Sequence, residues 1–216
     1  MQLIPIADLA NHVSTGAILK QEPDGSYIFR APKALRAGES FYASYVHTND
    51  IRCDDQWLGE YGFLPGEDRT GAVCLDLPIV LNMHRLSENK RNLWTQLDAS
   101  LHRTYKLMRG GIPHVNTLTA ARIAVATEAQ VEQVQRMLAN TSPPTIDWRL
   151  VPNLNETEAV MLLKLIVRTL IQSNWTTIED DEQMLTNNKL SDTARLSIRC
   201  RMREKILLQK ALGYGT

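Results

Sequence analysis

Three short islands hold the residue types that could do chemistry in this chain. The first, Ile4-Pro5-Ile6-Ala7-Asp8-Leu9-Ala10-Asn11-His12, reads as a short apolar strand entry that ends in a polar Asp-x-x-Asn-His tip. The second is Gly38-Glu39-Ser40-Phe41-Tyr42-Ala43-Ser44-Tyr45 and the third Tyr61-Gly62-Phe63. An asparagine amide and an imidazole both donate and accept hydrogen bonds, and so does a tyrosine hydroxyl. Such groups beside aromatic faces suit the gripping of a polar small molecule in a mostly dry cleft. Taken singly, each island also has a plain reading. Asn11-His12 would be a polar loop after a strand, Tyr45 a strand-end plug of a core, and Tyr61-Gly62-Phe63 a turn between two core aromatics.

The elements that must position these residues are β-rich as far as about residue 65. Ala17 to Gln21 and Ser26 to Ala31 read as strands, joined by the turn chemistry of Pro23-Asp24-Gly25, where glycine tolerates positive φ. Ala37-Gly38-Glu39 is a second turn, and Ser40 to Ser44 a third short strand favoured by Phe41 and Tyr42. After Pro65-Gly66 the pattern changes. Val73 to Leu77 reads as one more strand. Ser87 caps a helix to about Leu97, and Tyr105 to Met108 reads as a strand closed by Gly110-Gly111. A single helix from Ser87 to Met108 fits the spacing of Leu93, Leu97, Leu101 and Tyr105 as well. From Asn116 onward the chain reads as helical. Thr127 with Gln130 forms a capping box ahead of Val131, Val134 and Leu138. Asn155 with Glu158, Thr177 with Asp180, and Ser191 open three further helices, the last ending before Gly213. Pro143-Pro144 separates the earlier helices from the later ones.

Composition narrows the function classes. The 216 residues suit one or two domains. Lys plus Arg and Asp plus Glu are both 24, so the formal net charge is zero. That argues against a broad nucleic-acid surface, which needs excess positive charge, and leaves a local basic patch open. No run of eighteen apolar residues predicts a membrane span. Cys53, Cys74 and Cys200 contain no Cys-x-x-Cys, and His47, His84, His102 and His114 show no metal-ligand spacing, so no metal is expected. These four histidines read as surface or turn residues. No glycine-rich phosphate loop precedes a helix, so nucleotide hydrolysis is unsupported. Gly213-Tyr214-Gly215 sits after the last helix and reads as a frayed end. With no signal or transit segment ahead of it, the chain is expected to be intracellular, in cytoplasm or nucleus, with a plastid left open if a transit segment is missing.

Pro5, Asp8, Asn11, His12, Gly38, Glu39, Tyr45, Tyr61, Gly62 and Phe63 fall in an order and rough spacing that resemble the C-terminal half of a SET methyltransferase domain. The resemblance is to the Rubisco large-subunit lysine methyltransferase-like branch. Asn155-Glu156-Thr157-Glu158, the Thr176 to Glu182 segment and Arg203-Glu204-Lys205-Ile206-Leu207 resemble that branch's helical substrate-binding domain. The two resemblances cover nearly all of the chain and favour the helix–strand–helix reading of residues 87 to 125. Three departures stand out. Val46 replaces the Gly that commonly follows the tyrosine, Val13 replaces a polar residue after Asn-His, and the stretch from Tyr45 to Phe63 is a few residues longer than usual.

The resemblance implies an α+β fold, with a partial β-rich SET domain over residues 1–66 and a mainly α-helical substrate-binding domain over residues 67–216. It implies S-adenosyl-L-methionine as cofactor and transfer of a methyl group to a protein lysine, so the partner would be a protein bearing that lysine. Asn11 and His12 would bind the cofactor, Phe63 would pack on its adenine, Tyr61 would face the lysine channel, and Tyr45 would line the methyl-transfer channel and orient the transfer. The family's SET domain opens with a strand pair carrying Gly-x-Gly and a helical insert, which nothing ahead of Met1 supplies. A truncated member that binds cofactor weakly or not at all on its own is therefore expected, with unpaired edges and an uncovered apolar face on residues 1–65. Two alternatives stay open: a non-catalytic adaptor built on the helical domain, and a relative that modifies histidine.

Overall fold

The computed structural model describes residues 10–45, 52–65, 72–75, 85–101, 105–139 and 146–215. The chain folds as two compact units, residues 1–71 and 72–216. Among the described residues no helix is long and apolar enough to cross a membrane.

The first unit is built on a three-stranded sheet ordered β2-β1-β3, with β1 at Asn11–Gln21, β2 at Tyr27–Arg30 and β3 at Tyr42–Ala43. Strands β1 and β2 form a hairpin in which Leu19 faces Phe29 and Gln21 faces Tyr27. The hairpin turn is chemically specified. Asp24 accepts hydrogen bonds from the Ser26 amide at 2.9 Å and the Ser26 hydroxyl at 2.6 Å, and Gly25 takes φ 85°. Strand β3 runs parallel to β1 on its other side. Helix α1, Asp54–Tyr61, follows and ends at Gly62, whose left-handed φ of 73° sends its amide back to the Leu58 carbonyl at 3.0 Å.

The sequence reading differs here in two ways. The Asn-His pair is the start of β1 rather than a polar tip outside it, while Ile4 to Asp8 lie outside the described residues. Helix α1 was not expected at all. Its eight residues include Gly59 and carry too little apolar periodicity to announce a helix, and Gly62 is its cap rather than the middle of a free-standing turn.

The second unit begins with a small antiparallel sheet, β4 at Val73–Leu75, β5 at Tyr105–Met108 and β6 at Ile112–Pro113. Helix α2, Glu88–Leu101, lies between β4 and β5, so the single-helix alternative through Met108 is wrong. Gly110 and Gly111 turn the chain with φ 82° and 76°. Helices α3, Val115–Val125, and α4, Glu128–Leu138, come next, then α5 at Glu156–Ser173, α6 at Ile178–Leu185 and α7 at Asp192–Ala211. All five expected caps form, Ser87 accepting from the Lys90 amide at 3.3 Å. Thr127 and Gln130 make a reciprocal box, Asn155 accepts from the Glu158 amide, Thr177 and Asp180 make a second box, and Ser191 accepts from the Ala194 amide. His114 caps α3, accepting from the Asn116 amide at 3.3 Å. His47, His84, His102, Pro143 and Pro144 lie outside the described residues.

A single apolar core runs through this unit, from Leu93, Trp94 and Leu97 of α2 through Leu107, Ile123, Val131 and Val134 to Leu163, Ile166, Val167 and Leu208. Thr117 ties α3 to β5, donating to the Lys106 carbonyl and accepting from its amide, each at 2.8 Å. Helix α7 crosses Gly111 so closely that a Cβ there would sit 2.2 Å from the Ala211 nitrogen. One charged cluster is buried. Asp181 of α6 is 0% exposed. It accepts from Lys205 Nζ at 2.7 Å, from Thr176 Oγ1 at 3.0 Å and from the Arg201 guanidinium. Lys205 Nζ also donates to Thr176 Oγ1 at 2.6 Å and the Thr177 carbonyl at 3.1 Å, which locks α6 to α7.

Two measurements test this frame. Gly111→Ala must push α7 outward while adopting positive φ, so it should cost on the order of 3 kcal/mol and lower the melting temperature by roughly 10 °C. Burial by itself would raise the Asp181 pKa, but hydrogen bonds from Arg201, Lys205 and Thr176 outweigh it and hold the carboxyl at about 2, against an ordinary 3.8. The folded value is the lower one, so this stability is complete above pH 3.8 and is lost as pH falls through about 2. Melts between pH 5 and 2 should show it as on the order of 2 kcal/mol. Asp181→Asn should be less stable than the parent at neutral pH, with the gap narrowing toward pH 2.

Candidate functional site

Strand β1 approaches β3 twice. Asn11 faces Tyr42 and His12 faces Ala43, yet Ala17 also faces Ala43, so the register slips between His12 and Ala17. The chain bulges there. Gly16 makes the bulge fit, because a Cβ at this position would lie 2.5 Å from the Ala43 carbonyl carbon and 2.8 Å from the Ser44 nitrogen. The Ser44 amide donates to the Ala17 carbonyl at 2.8 Å, and the backbone then delivers Tyr45 back to His12. The Tyr45 amide donates to His12 Nδ1 at 3.2 Å, and the Tyr45 hydroxyl donates to the Ala10 carbonyl at 2.7 Å.

Around this pair the rings converge. The His12 ring lies 5.1 Å from Tyr45, 4.7 Å from Trp57 and 5.9 Å from Phe63, centroid to centroid. Tyr45 lies 5.1 Å from Tyr61 and 6.4 Å from Phe63. Tyr61 and Phe63 are 6.1 Å apart across the α1 cap. The structure thus brings His12, Tyr45, Tyr61 and Phe63 together. Asn11 is exposed, and successive side chains of a strand leave by opposite faces. Arg52 stands 5.4 Å over the Tyr61 ring and pairs with Glu60.

The electrostatics favour a neutral imidazole. Burial pushes the His12 pKa below its ordinary value, outweighing a hydrogen bond to the Ala43 backbone that acts to raise it. With Nδ1 accepting from Tyr45, the ring proton belongs on Nε2, which is buried without a hydrogen-bond partner. The Tyr45 oxygen has spent its proton on Ala10 and keeps lone pairs to accept with. Tyr45, Tyr61 and Phe63 are half-buried, so their rings are reachable. Two hollows of about 560 and 640 Å³ in the same unit lie elsewhere, along Gly16, Ala31 and Pro32. The rings pack on one another rather than around either of these. Leu35, Phe41 and Tyr42 stand exposed beside the first hollow.

Sequence reasoning missed Trp57. It is 0% exposed and touches three of the four convergent rings. The available signal was its spacing, four residues before Tyr61, which places both on one helical face once α1 is recognised.

Comparison with known proteins gives a consistent picture. The family described as Rubisco LSMT substrate-binding matches residues 82–208. An actin-histidine N-methyltransferase of Homo sapiens is 26% identical over 98% of this chain, and that of Papio anubis is equally so. The chain spans 36% of the length of these relatives. Among solved structures, the SET domain of LSMT bound to lysine and AdoHcy matches with a TM-score of 0.59 at 20% identity. Rubisco LSMT bound to sinefungin and monomethyllysine matches at 0.61 and 18%. Each covers 98% of this chain and 48% of its own. These likenesses establish the α+β fold.

If the Gly16 bulge positions the site, Gly16→Ala should separate β1 from β3. Near-ultraviolet circular dichroism should lose much of the aromatic signal of the first unit. The helical unit's melting should stay unchanged, because its core contains none of these residues.

Proposed function

Since the chain belongs to the Rubisco LSMT substrate-binding family, we propose that it forms part of an S-adenosylmethionine-dependent protein methyltransferase acting on a side-chain nitrogen. The observation that carries this reading is the convergence of His12, Tyr45, Tyr61 and Phe63, which come from three separate stretches of the sequence.

When bound, S-adenosylmethionine supplies a methyl group activated on a sulfonium sulfur. The residues present suit such a group. Phe63 offers a half-buried ring face for a purine, a contact that contributes about 1 kcal/mol beyond burial. Asn11 offers an exposed amide for the charged methionine end, and the β1 backbone at His12 can meet the adenine edge. Tyr45 keeps an acceptor oxygen for a polarised methyl group and, with Tyr61, forms a half-buried aromatic wall. Such a wall desolvates an incoming amine, lowers its pKa and frees its lone pair. The main contribution to rate is then alignment of nitrogen, methyl and sulfur.

Lysine is the acceptor we favour, supported by the neighbours bound to lysine and monomethyllysine. Histidine is the second reading, supported by the actin-histidine relatives. The helical unit would hold the protein partner. Its exposed Met161 and Trp175 belong to residue types enriched at protein interfaces.

The test is a nuclear magnetic resonance titration of residues 1–216 with S-adenosylhomocysteine, which detects weak binding. Saturable shifts at Asn11, His12, Tyr45 and Phe63 are expected, with affinity weaker than micromolar because less than half of each solved neighbour is matched. Absence of shifts at millimolar ligand, or shifts confined to the helical unit, would overturn the cofactor reading. Labelled methyl transfer to lysine-bearing against histidine-bearing peptides separates the two acceptors.

A further inference from the structure

The convergent rings hold one another only in part. His12 is held by the Tyr45 amide on Nδ1 and by the Ala43 backbone beside it, while its Nε2 is buried without a hydrogen bond. Contacts from the backbone on one side fix an edge but leave the ring plane to be set by what packs against it. What faces the ring most closely is Trp57, at 4.7 Å with the planes inclined by 39°. The same indole lies 5.5 Å from Phe63 and 5.1 Å from Tyr61. Trp57 thus contacts His12 from β1 and both aromatics that flank the Gly62 cap. We propose that Trp57 is a positioning residue of the candidate site, its buried indole setting the orientation of the His12 and Phe63 rings. This deepens the cofactor reading and rests on it.

Its burial and its chemistry both point this way. Trp57 is 0% exposed, so it meets no ligand itself. Its Nε1–H is buried without a hydrogen-bond partner, a defect that costs stability. A leucine would fill a core without that cost. A leucine would not span three rings, because only a large flat surface reaches all of them at once. The indole sits one helical turn before Tyr61, so α1 sets its height relative to the cap, and the cap sets Phe63.

The experiment compares the parent chain with Trp57→Phe and Trp57→Leu by heteronuclear magnetic resonance. The parent should show His12 protonated on Nε2 and cross-peaks from its ring to Trp57 and to the Tyr45 amide. In Trp57→Leu those His12 and Phe63 signals should move or vanish, while the amides of Leu19 and Phe29, in the hairpin, stay in place. Trp57→Phe, which keeps an aromatic face, should restore most of them. Titration with S-adenosylhomocysteine should give an apparent affinity at least about tenfold weaker in Trp57→Leu and within about threefold of the parent in Trp57→Phe.

Unchanged His12 and Phe63 signals in Trp57→Leu would overturn the proposal. So would loss of the hairpin amides in both variants, which marks Trp57 as ordinary core. If the parent itself shows no shifts with ligand, the cofactor reading fails by itself, and the ring signals still decide whether Trp57 sets the two orientations.

Discussion

The first unit depends on one close passage of backbone over backbone, where β1 slides past β3 at Gly16. A parallel pairing to a strand as short as β3 has little hydrogen bonding to hold it, and here the register slips as well. What makes the pairing work is the missing side chain at Gly16, which lets the Ala43 carbonyl and Ser44 amide come in against β1. The rest follows from that contact. Ala43 is buried, Ser44 bonds to Ala17, and Tyr45 arrives beside His12 with its amide aimed at Nδ1. Helix α1 then closes over the assembly with Trp57 and, through the Gly62 cap, returns Phe63 to it. Residues separated by fifty positions meet because one position carries no side chain.

The second unit is stabilised differently. Its core is continuous across five of the helices and the small sheet, and it encloses Asp181 and Lys205 while the Arg201 side chain that pairs with Asp181 stays partly exposed. Asp181 faces two cations, and burial of such a group is tolerated because Lys205, Arg201 and Thr176 all donate to it. Ion clusters of this kind contribute less to net stability than to geometry, since a hydrophobic replacement can be as stable. Here the geometry in question is the docking of α6 on α7.

How much of this was legible depended on the scale of the signal. The caps of α4 to α7 were readable because each is a local bond between side chain and backbone three residues away. The hairpin turn at Asp24-Gly25 was readable for the same reason. The strand at Tyr105–Met108 was ambiguous, since Leu101 and Tyr105 share helical spacing with Leu93 and Leu97. The paired glycines after it and its pairing with β4 decide the matter, and pairing is not local. The site residues His12, Tyr45, Tyr61 and Phe63 could be named only through family likeness, because nothing in their own neighbourhoods says that they meet. Trp57 and Gly16 escaped altogether. One acts through a helix too short to show a stripe, the other through what it lacks.

The bond between the Tyr45 hydroxyl and the Ala10 carbonyl has a consequence of its own. A phenol whose only hydrogen is already committed to a peptide oxygen has none to lend and no ready way to relay one. His12, neutral and turned inward, offers no easy substitute. A nucleophile that approached this wall would find a base in neither of these two side chains, and would have to arrive with its electron pair already bare.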